Sequence, residues 1–280
     1  MRIVITGHRG QLGRALQEVL AGEALFGLDL PEHDITDPAS AIDSVVRLQP
    51  DLVIHAAAMT DVDSCERDPD MAFRVNTLGT YNVALACGRC DAAMVHISTN
   101  DIFDGKLGRP YYEWDSPSPQ SVYARSKAAA EFYVRTLLHR FYIVRTAWLY
   151  ARGGNNFVTK IIAAADRQGA LRVVTDEVSA PTYAPDLARA IARLVQTEQY
   201  GIFHFTNSGF CSRYDWARKI LELSGRRQVP VEPITADQWP RAAAPPLYAP
   251  LVNFAGAALG ITLRPWVEAL QGYFAVDERP

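Results

Sequence analysis

Tyr123 and Lys127 stand four positions apart in Tyr123-Ala124-Arg125-Ser126-Lys127. On a helix that spacing puts both side chains on one face. A free phenol has a pKa near ~10, so at neutral pH it is a reluctant acid–base group. A neighbouring ammonium favours the phenolate and draws the group toward the working range. The pair alone is a weak signal, because an amphipathic helix with an exposed lysine shows the same spacing. Ser98-Thr99 strengthens it. A hydroxyl there, at the end of a strand that precedes the pair, can donate to the same carbonyl oxygen that Tyr123 protonates. Thr99, Tyr123 and Lys127 are therefore the candidate catalytic group, and a carbonyl is the group they would act on.

A second constellation sits at the start of the chain, in Thr6-Gly7-His8-Arg9-Gly10-Gln11-Leu12-Gly13. Gly7 permits a tight turn off a strand, and Gly10 lets backbone approach a pyrophosphate. Gly13 lets a helix pack close to a sheet. The helix N-terminus offers unpaired N–H groups to an anion. Strand, loop and helix in this order predict a dinucleotide site. Asp29 falls at the end of the next strand, where an acid can accept from the adenosine ribose hydroxyls, which favours NAD. Arg9 pulls the other way, toward a 2′-phosphate. Asp34 and Ile35 could hold the adenine edge and face. Ala57-Ala58-Met59-Thr60 follows the third strand, where chain should line the cofactor groove.

These residues need a scaffold, and the apolar pattern supplies one. Strand-length runs at Arg2–Thr6, Ala24–Leu28, Asp51–Ala58, Ala93–Ser98 and Phe141–Thr146 alternate with helical patterns. The helices are expected at Gln11–Leu20, Ala39–Leu48, Ala72–Cys87 and Tyr123–His139. The alternation predicts an α/β fold: a Rossmann-like, doubly wound parallel sheet covered by helices. The second half is less regular. It reads as helix at Phe157–Ala165, strand at Leu171–Val174, helix at Asp186–Gln196 and strand at Gly201–Thr206. A helix follows near Tyr214–Leu223, with Ser212 as its N-cap, and then an irregular Pro/Ala-rich lobe from Pro230 to Pro250. The expected division is residues 1–148 plus about 168–206 as the dinucleotide-binding domain, and about 149–167 plus 207–280 as a smaller substrate lobe.

Composition narrows the function classes. The chain has 280 residues, 49% apolar, with 28 Lys and Arg against 31 Asp and Glu, a formal charge of −3. That balance argues against a nucleic-acid or membrane-surface protein. No apolar run reaches the ~20 residues of a membrane span, and Met1-Arg2-Ile3-Val4-Ile5 does not read as a signal peptide. Four cysteines point to a reducing compartment, hence the cytoplasm. Cys87 and Cys90 form a lone CxxC that reads as plain thiols rather than a metal or redox site. The six histidines show no metal-ligand spacing, so no metal is expected.

With these residues in place, the chain resembles the extended short-chain dehydrogenase/reductases, and among them the dTDP-4-dehydrorhamnose reductase family. The resemblance rests on Gly7–Gly13 (GHRGQLG), Asp34–Pro38 (DITDP), His55–Asp63 (HAAAMTDVD), Val75-Asn76-Thr77, Ser98–Gly105 (STNDIFDG), the Tyr123/Lys127 pair and Arg145–Tyr150 (RTAWLY). Asn156-Phe157, Ala180-Pro181-Thr182, Asp186-Leu187-Ala188 and Trp266 also fit. It implies that Gly10, Gln11 and Leu12 hold phosphate, and that Asp29, Asp34 and Ile35 touch adenosine. Ala58, Met59 and Thr60 would line the groove, and Thr99, Asn100, Trp148 and Asn156 would meet the sugar. The implied cofactor is NADPH or NADH, with Lys127 also holding the nicotinamide ribose. The implied reaction reduces the C4 ketone of a nucleotide-linked 6-deoxy sugar, such as dTDP-4-dehydro-L-rhamnose. Other readings of the same scaffold are another keto-sugar reductase, an epimerase, or a non-catalytic nucleotide-binding subunit of a second enzyme. A monomer or homodimer is expected. Two positions depart from the family pattern: Asn100 where Asp is commoner, and Asp101 where Tyr is often found. Both fall near the sugar pocket and leave the sugar's identity open.

Overall fold

The computed structural model describes residues 1–275. Six strands, β1 (Arg2–Thr6), β2 (Ala24–Leu28), β3 (Leu52–His55), β4 (Ala93–Thr99), β5 (Phe141–Thr146) and β6 (Gly201–His204), form one sheet in the order β6-β5-β4-β3-β1-β2. Every pairing in it is parallel. The inner strands are buried on both faces: Ile3, Val4, Ile5, Val53 and Ile54 have no exposed surface. This is what continuous apolar runs, rather than alternating ones, demand. Helices Gln11–Val19 and Ala184–Leu194 close one face of the sheet, burying Leu16, Leu187 and Ile191. Helices Pro38–Leu48, Thr80–Cys90 and Val122–Leu137 close the other around Val45, Val83 and Val134. Strand order reverses between β1 and β3, so a crevice opens beyond their carboxyl ends.

A second core lies beside the sheet, around Trp216, Ile220, Val158 and Leu270. It gathers helices Phe157–Gln168, Arg213–Leu223 and Trp266–Ala275. Leu171–Val174 is a strand as expected, but it pairs in parallel with Val231–Ile234. The sequence reading placed it with the larger unit (168–206), whereas its apolar side chains belong to this second core. An apolar run reveals burial but not which sheet receives it.

The helix expected over Ala72–Cys87 is present within a continuous helical run of Pro69–Ala72, Phe73–Gly79 and Thr80–Cys90, whose middle part is wound as a π-helix. Gly79 sits where a Cβ would come within 2.7 Å of the Ile35 side chain. One other expectation, the end of β3, was displaced. β3 stops at His55 rather than continuing to Ala58. The chain beyond it presses on the glycine loop: a Cβ on Gly7 would lie 2.7 Å from the Ala57 amide nitrogen.

Candidate active site

Gly7 leaves β1 with φ +69°, a conformation that favours glycine. Gly13 is needed for contact: a Cβ there would lie 2.4 Å from the Gly7 carbonyl oxygen. Gly10 is the N-cap of helix Gln11–Val19, and no side chain caps that end. The first-turn amides of Gln11 and Leu12 are thus left to an outside acceptor. This end, with its partial positive charge, fits a dinucleotide diphosphate. Gln11 reaches across the cleft instead: its Oε1 accepts from the Ala151 amide at 2.9 Å and from Asn156 Nδ2 at 2.8 Å. Gln11 thus ties the glycine loop to the second lobe, and Arg14 adds a second link by donating to the Arg9 and Gly153 carbonyls at 2.7 and 3.3 Å.

A cleft of about 800 Å³ runs from Gly7, Gly10 and Gln11 to Thr99, Tyr123 and Lys127. Leu12, Gly13, Ala58, Thr60, Asn100, Trp148 and Asn156 also line it. The residues that the sequence reading singled out from distant segments therefore meet in one space. Ala57 and Met59 do not line it. Ala57 backs Gly7, and the Met59 amide and carbonyl are both held by the Asn76 side chain, at 2.8 and 3.0 Å. Asp29, Asp34 and Ile35 also stand outside this lining, beyond the end of β2. Asp29 accepts from the amides of Arg9 and Leu30, each at 2.9 Å, and Arg9 pairs with Glu32 at 3.1 Å. Asp34 closes a turn onto the Thr36 amide at 2.8 Å.

The helix Val122–Leu137 carries Tyr123 and Lys127, and its start is fixed from three directions. Ser121 caps it through the Ala124 amide at 3.1 Å, and Glu66 accepts from the Val122 amide at 2.9 Å. Asn76 Nδ2 donates to Ser126 Oγ at 3.0 Å, and Thr77 Oγ1 to the Ser126 carbonyl at 2.8 Å. The Val75-Asn76-Thr77 motif thus joins the Tyr helix to the loop after β3. Farther along, Glu131 accepts from Ser98 Oγ at 2.6 Å and from Arg145 Nε and Nη2 at 3.0 and 2.8 Å. All three side chains are buried, so this network locks the helix to β4 and β5. The Ser98 hydroxyl is committed there, which leaves Thr99 as the strand-end hydroxyl that serves the cleft.

The electrostatics differ from the expectation that Lys127 would lower the Tyr123 pKa. Burial is the largest influence on Tyr123 and raises it, and the Asp101 carboxylate raises it further. Only a hydrogen bond with Thr99 acts downward. Lys127 donates to the Ile97 carbonyl at 2.6 Å and lies 3.5 Å from His96 Nε2. Burial lowers its pKa to about 8, partly opposed by Glu131. The result is a firmly protonated phenol beside a hydroxyl, with a buried amine behind them. Such a set can donate a proton to an oxygen that gains negative charge.

Several of the expected sugar contacts line the cleft and also brace the fold. Asn100 is only 2% exposed. Its Nδ2 donates to Ser179 Oγ and the Ala249 carbonyl, both at 3.2 Å, and its Oδ1 accepts from Thr99 at 3.4 Å. Asn156 caps helix Phe157–Gln168 and donates to Ala151, Gly154 and Gln11. Trp148 adopts φ +44° and stacks on Trp216 at 5.5 Å. The Arg213 guanidinium stands 3.7 Å over its ring, so the aromatic face reserved for a sugar already carries a cation. Sequence reasoning missed the cluster at this end of the cleft, where Asp101, Glu177, Arg213 and Arg241 come together. Asp101 belongs to the Ser98–Gly105 motif, but Glu177, Arg213 and Arg241 are remote from it and from one another in sequence, so no spacing could have grouped the four. Among the described residues no group of His, Cys, Asp or Glu is arranged to hold a metal, and no helix is long and apolar enough to cross a membrane. Cys87 and Cys90 are free thiols whose pKa values burial raises.

Comparison with known proteins matches residues 1–278 to the family model described as the RmlD substrate binding domain. The chain is 40% identical over 278 residues to dTDP-4-dehydrorhamnose reductase from Mycobacterium tuberculosis strain H37Rv, covering 96% of this chain and 91% of that protein. It is 38% identical to the spore coat polysaccharide biosynthesis protein SpsK of Bacillus subtilis, covering 97% and 96%. Among solved structures, a dTDP-4-dehydrorhamnose reductase from Clostridium acetobutylicum superposes with TM-score 0.95 at 39% identity over the whole of both chains. The Bacillus anthracis dTDP-4-dehydrorhamnose reductase in complex with NADP gives 0.94 at 36% identity, covering 98% of this chain and 99% of that one.

Proposed function

The chain belongs to the RmlD substrate binding domain family, and from that membership we propose that it is an NAD(P)H-dependent reductase of nucleotide-linked 4-keto-6-deoxy sugars. The substrate we assign is dTDP-4-dehydro-L-rhamnose, and the product is dTDP-L-rhamnose. The observation that carries this reading is the meeting of Thr99, Tyr123 and Lys127 with the glycine loop in one cleft. Residues 1–148 and 184–206 would hold the cofactor, and the second core would hold most of the substrate. The four free cysteines support a reducing compartment, hence the cytoplasm.

When bound, reduced nicotinamide supplies a hydride to the sugar C4. The amides of Gln11 and Leu12 would hold its diphosphate, and Lys127 its ribose. Tyr123 gives its phenolic proton to the oxygen that was the ketone. A phenol kept protonated by burial and by Asp101 is in the correct state at the start of a reduction. Thr99 donates to the same oxygen and fixes its direction. Asn76, Thr77 and Glu131 keep Tyr123 and Lys127 in register with the strand end.

The test is to follow nicotinamide absorbance with purified protein, dTDP-4-dehydro-L-rhamnose and either NADPH or NADH. Rapid oxidation of one or both is the expected result. No oxidation with this or any other keto sugar would refute the reading. An epimerase would instead retain tightly bound NAD through purification, and a regulatory subunit would bind a partner enzyme without consuming cofactor.

A further inference from the structure

Asn100 and Asp101 follow the strand-end hydroxyl, yet the structure treats them oppositely. Asn100 is buried and all of its hydrogen-bonding groups are engaged. Asp101 is partly buried and lines the cleft. Its amide donates to Thr99 Oγ1 at 3.2 Å, which fixes this residue to the hydroxyl that orients the carbonyl. Its carboxylate has no hydrogen bond or ion pair among the described residues. Four groups face it: the Arg213 and Arg241 guanidiniums, the Glu177 carboxylate and the Tyr123 phenol. Glu177 takes both cations, with Arg213 Nε at 3.6 Å and Arg241 in direct contact. Asp101 is left facing the reaction space as an unpartnered acceptor.

A carboxylate is acceptor-only when ionised, so in this cleft Asp101 offers an acceptor to a ligand that carries a donor. In a 4-keto-6-deoxy hexose, the ring neighbours of the ketone are C3, which bears a hydroxyl, and C5, which bears a methyl. Only the C3 side offers a donor. We propose that Asp101 accepts a hydrogen bond from the C3 hydroxyl and so selects which keto sugar this cleft reduces. The inference rests on the reading of the chain as a keto-sugar reductase. Arg213 and Arg241 pull the Asp101 pKa down and Glu177 pushes it up, but burial dominates and holds the carboxyl at about 6. The acceptor is therefore present above that pH and lost below it.

The experiment compares wild type with Asp101→Ala and the near-isosteric Asp101→Asn on two substrates, the 3-hydroxy sugar and its 3-deoxy counterpart. On the hydroxylated sugar, Asp101→Ala should lower kcat/KM by about 10- to 100-fold, the range of a lost charge-assisted hydrogen bond. Asp101→Asn should fall between the two, and NADPH affinity should not change. On the deoxy sugar the loss should be about tenfold smaller than on the hydroxylated sugar, because the donor is gone and only the influence of Asp101 on Tyr123 remains. The fall in wild-type kcat/KM as pH drops through about 6 should be absent in Asp101→Asn. Equal impairment on both sugars, or no impairment on either, overturns the proposal while leaving the reductase reading intact. A wild-type protein that reduces no keto sugar overturns that reading and this proposal with it.

Discussion

Lys127 holds its charge in a place that disfavours charge. The side chain is 3% exposed, and burial lowers its pKa from the usual 10.5 to about 8. Each pKa unit is about 1.36 kcal/mol, so the charged form destabilises the fold by about 3 kcal/mol near pH 7. The sign follows from which state binds the proton more tightly. Here it is the unfolded chain, so the penalty is full below about pH 8 and fades as pH rises toward 10.5. Near pH 9.5 about half of it remains. Lys127→Met keeps the apolar stem and removes the charge, while giving up the hydrogen bond to the Ile97 carbonyl, a loss of about 1 kcal/mol. The variant should therefore be more stable than wild type by about 2 kcal/mol near pH 7 and about equal to it near pH 9.5. Urea unfolding of both proteins at the two pH values measures this, and using the difference between proteins cancels other titrating groups. The same variant should be nearly inactive, as expected where a site trades stability for chemistry. A Lys127→Met protein less stable than wild type at both pH values, or one whose advantage does not change with pH, would refute the reasoning.

Tyr123→Phe should bind NADPH normally and lose about 10²- to 10⁴-fold in kcat, the contribution of a positioned acid; stopped-flow reduction with calorimetric cofactor binding checks both halves. Glu131→Ala strands the buried Arg145 guanidinium, which is only 1% exposed, and should destabilise the fold by about 3–5 kcal/mol. A urea midpoint for that variant within error of wild type would show that the Ser98–Glu131–Arg145 network does not lock the helix.

The sheet was legible because its strands are apolar on both faces. Arg2–Thr6, Ala24–Leu28 and Phe141–Thr146 were read to the residue. The glycine loop was legible because three glycines at fixed spacing answer three separate steric demands. What sequence alone could not show was allegiance. Leu171–Val174 has the same apolar character whether it joins the central sheet or the strand Val231–Ile234. Asn100 and Asp101 are adjacent polar residues in one motif, and only packing turns Asn100 into a brace while leaving Asp101 bare. Asn156 illustrates the same limit, since its match to a family position says nothing of whether its donors are already engaged in a cap.

The phenol raises the sharper physical point. Pairing Tyr with Lys suggested an ammonium that makes phenolate accessible, yet burial and the Asp101 charge both push Tyr123 upward. For the reducing direction this is the favourable arrangement, because a proton donor must begin protonated, and the developing alkoxide is a strong enough base to take the proton. It follows that an alkaline fall in activity cannot report ionisation of Tyr123. The group that titrates there is Lys127, whose charge is lost as pH rises through about 8. Lys127→Arg retains a cation at every accessible pH, so its residual activity should lose that alkaline limb, as read from kcat across pH. A limb persisting near 8 in the Arg variant would place the titrating group elsewhere and would remove Lys127 from the chemistry.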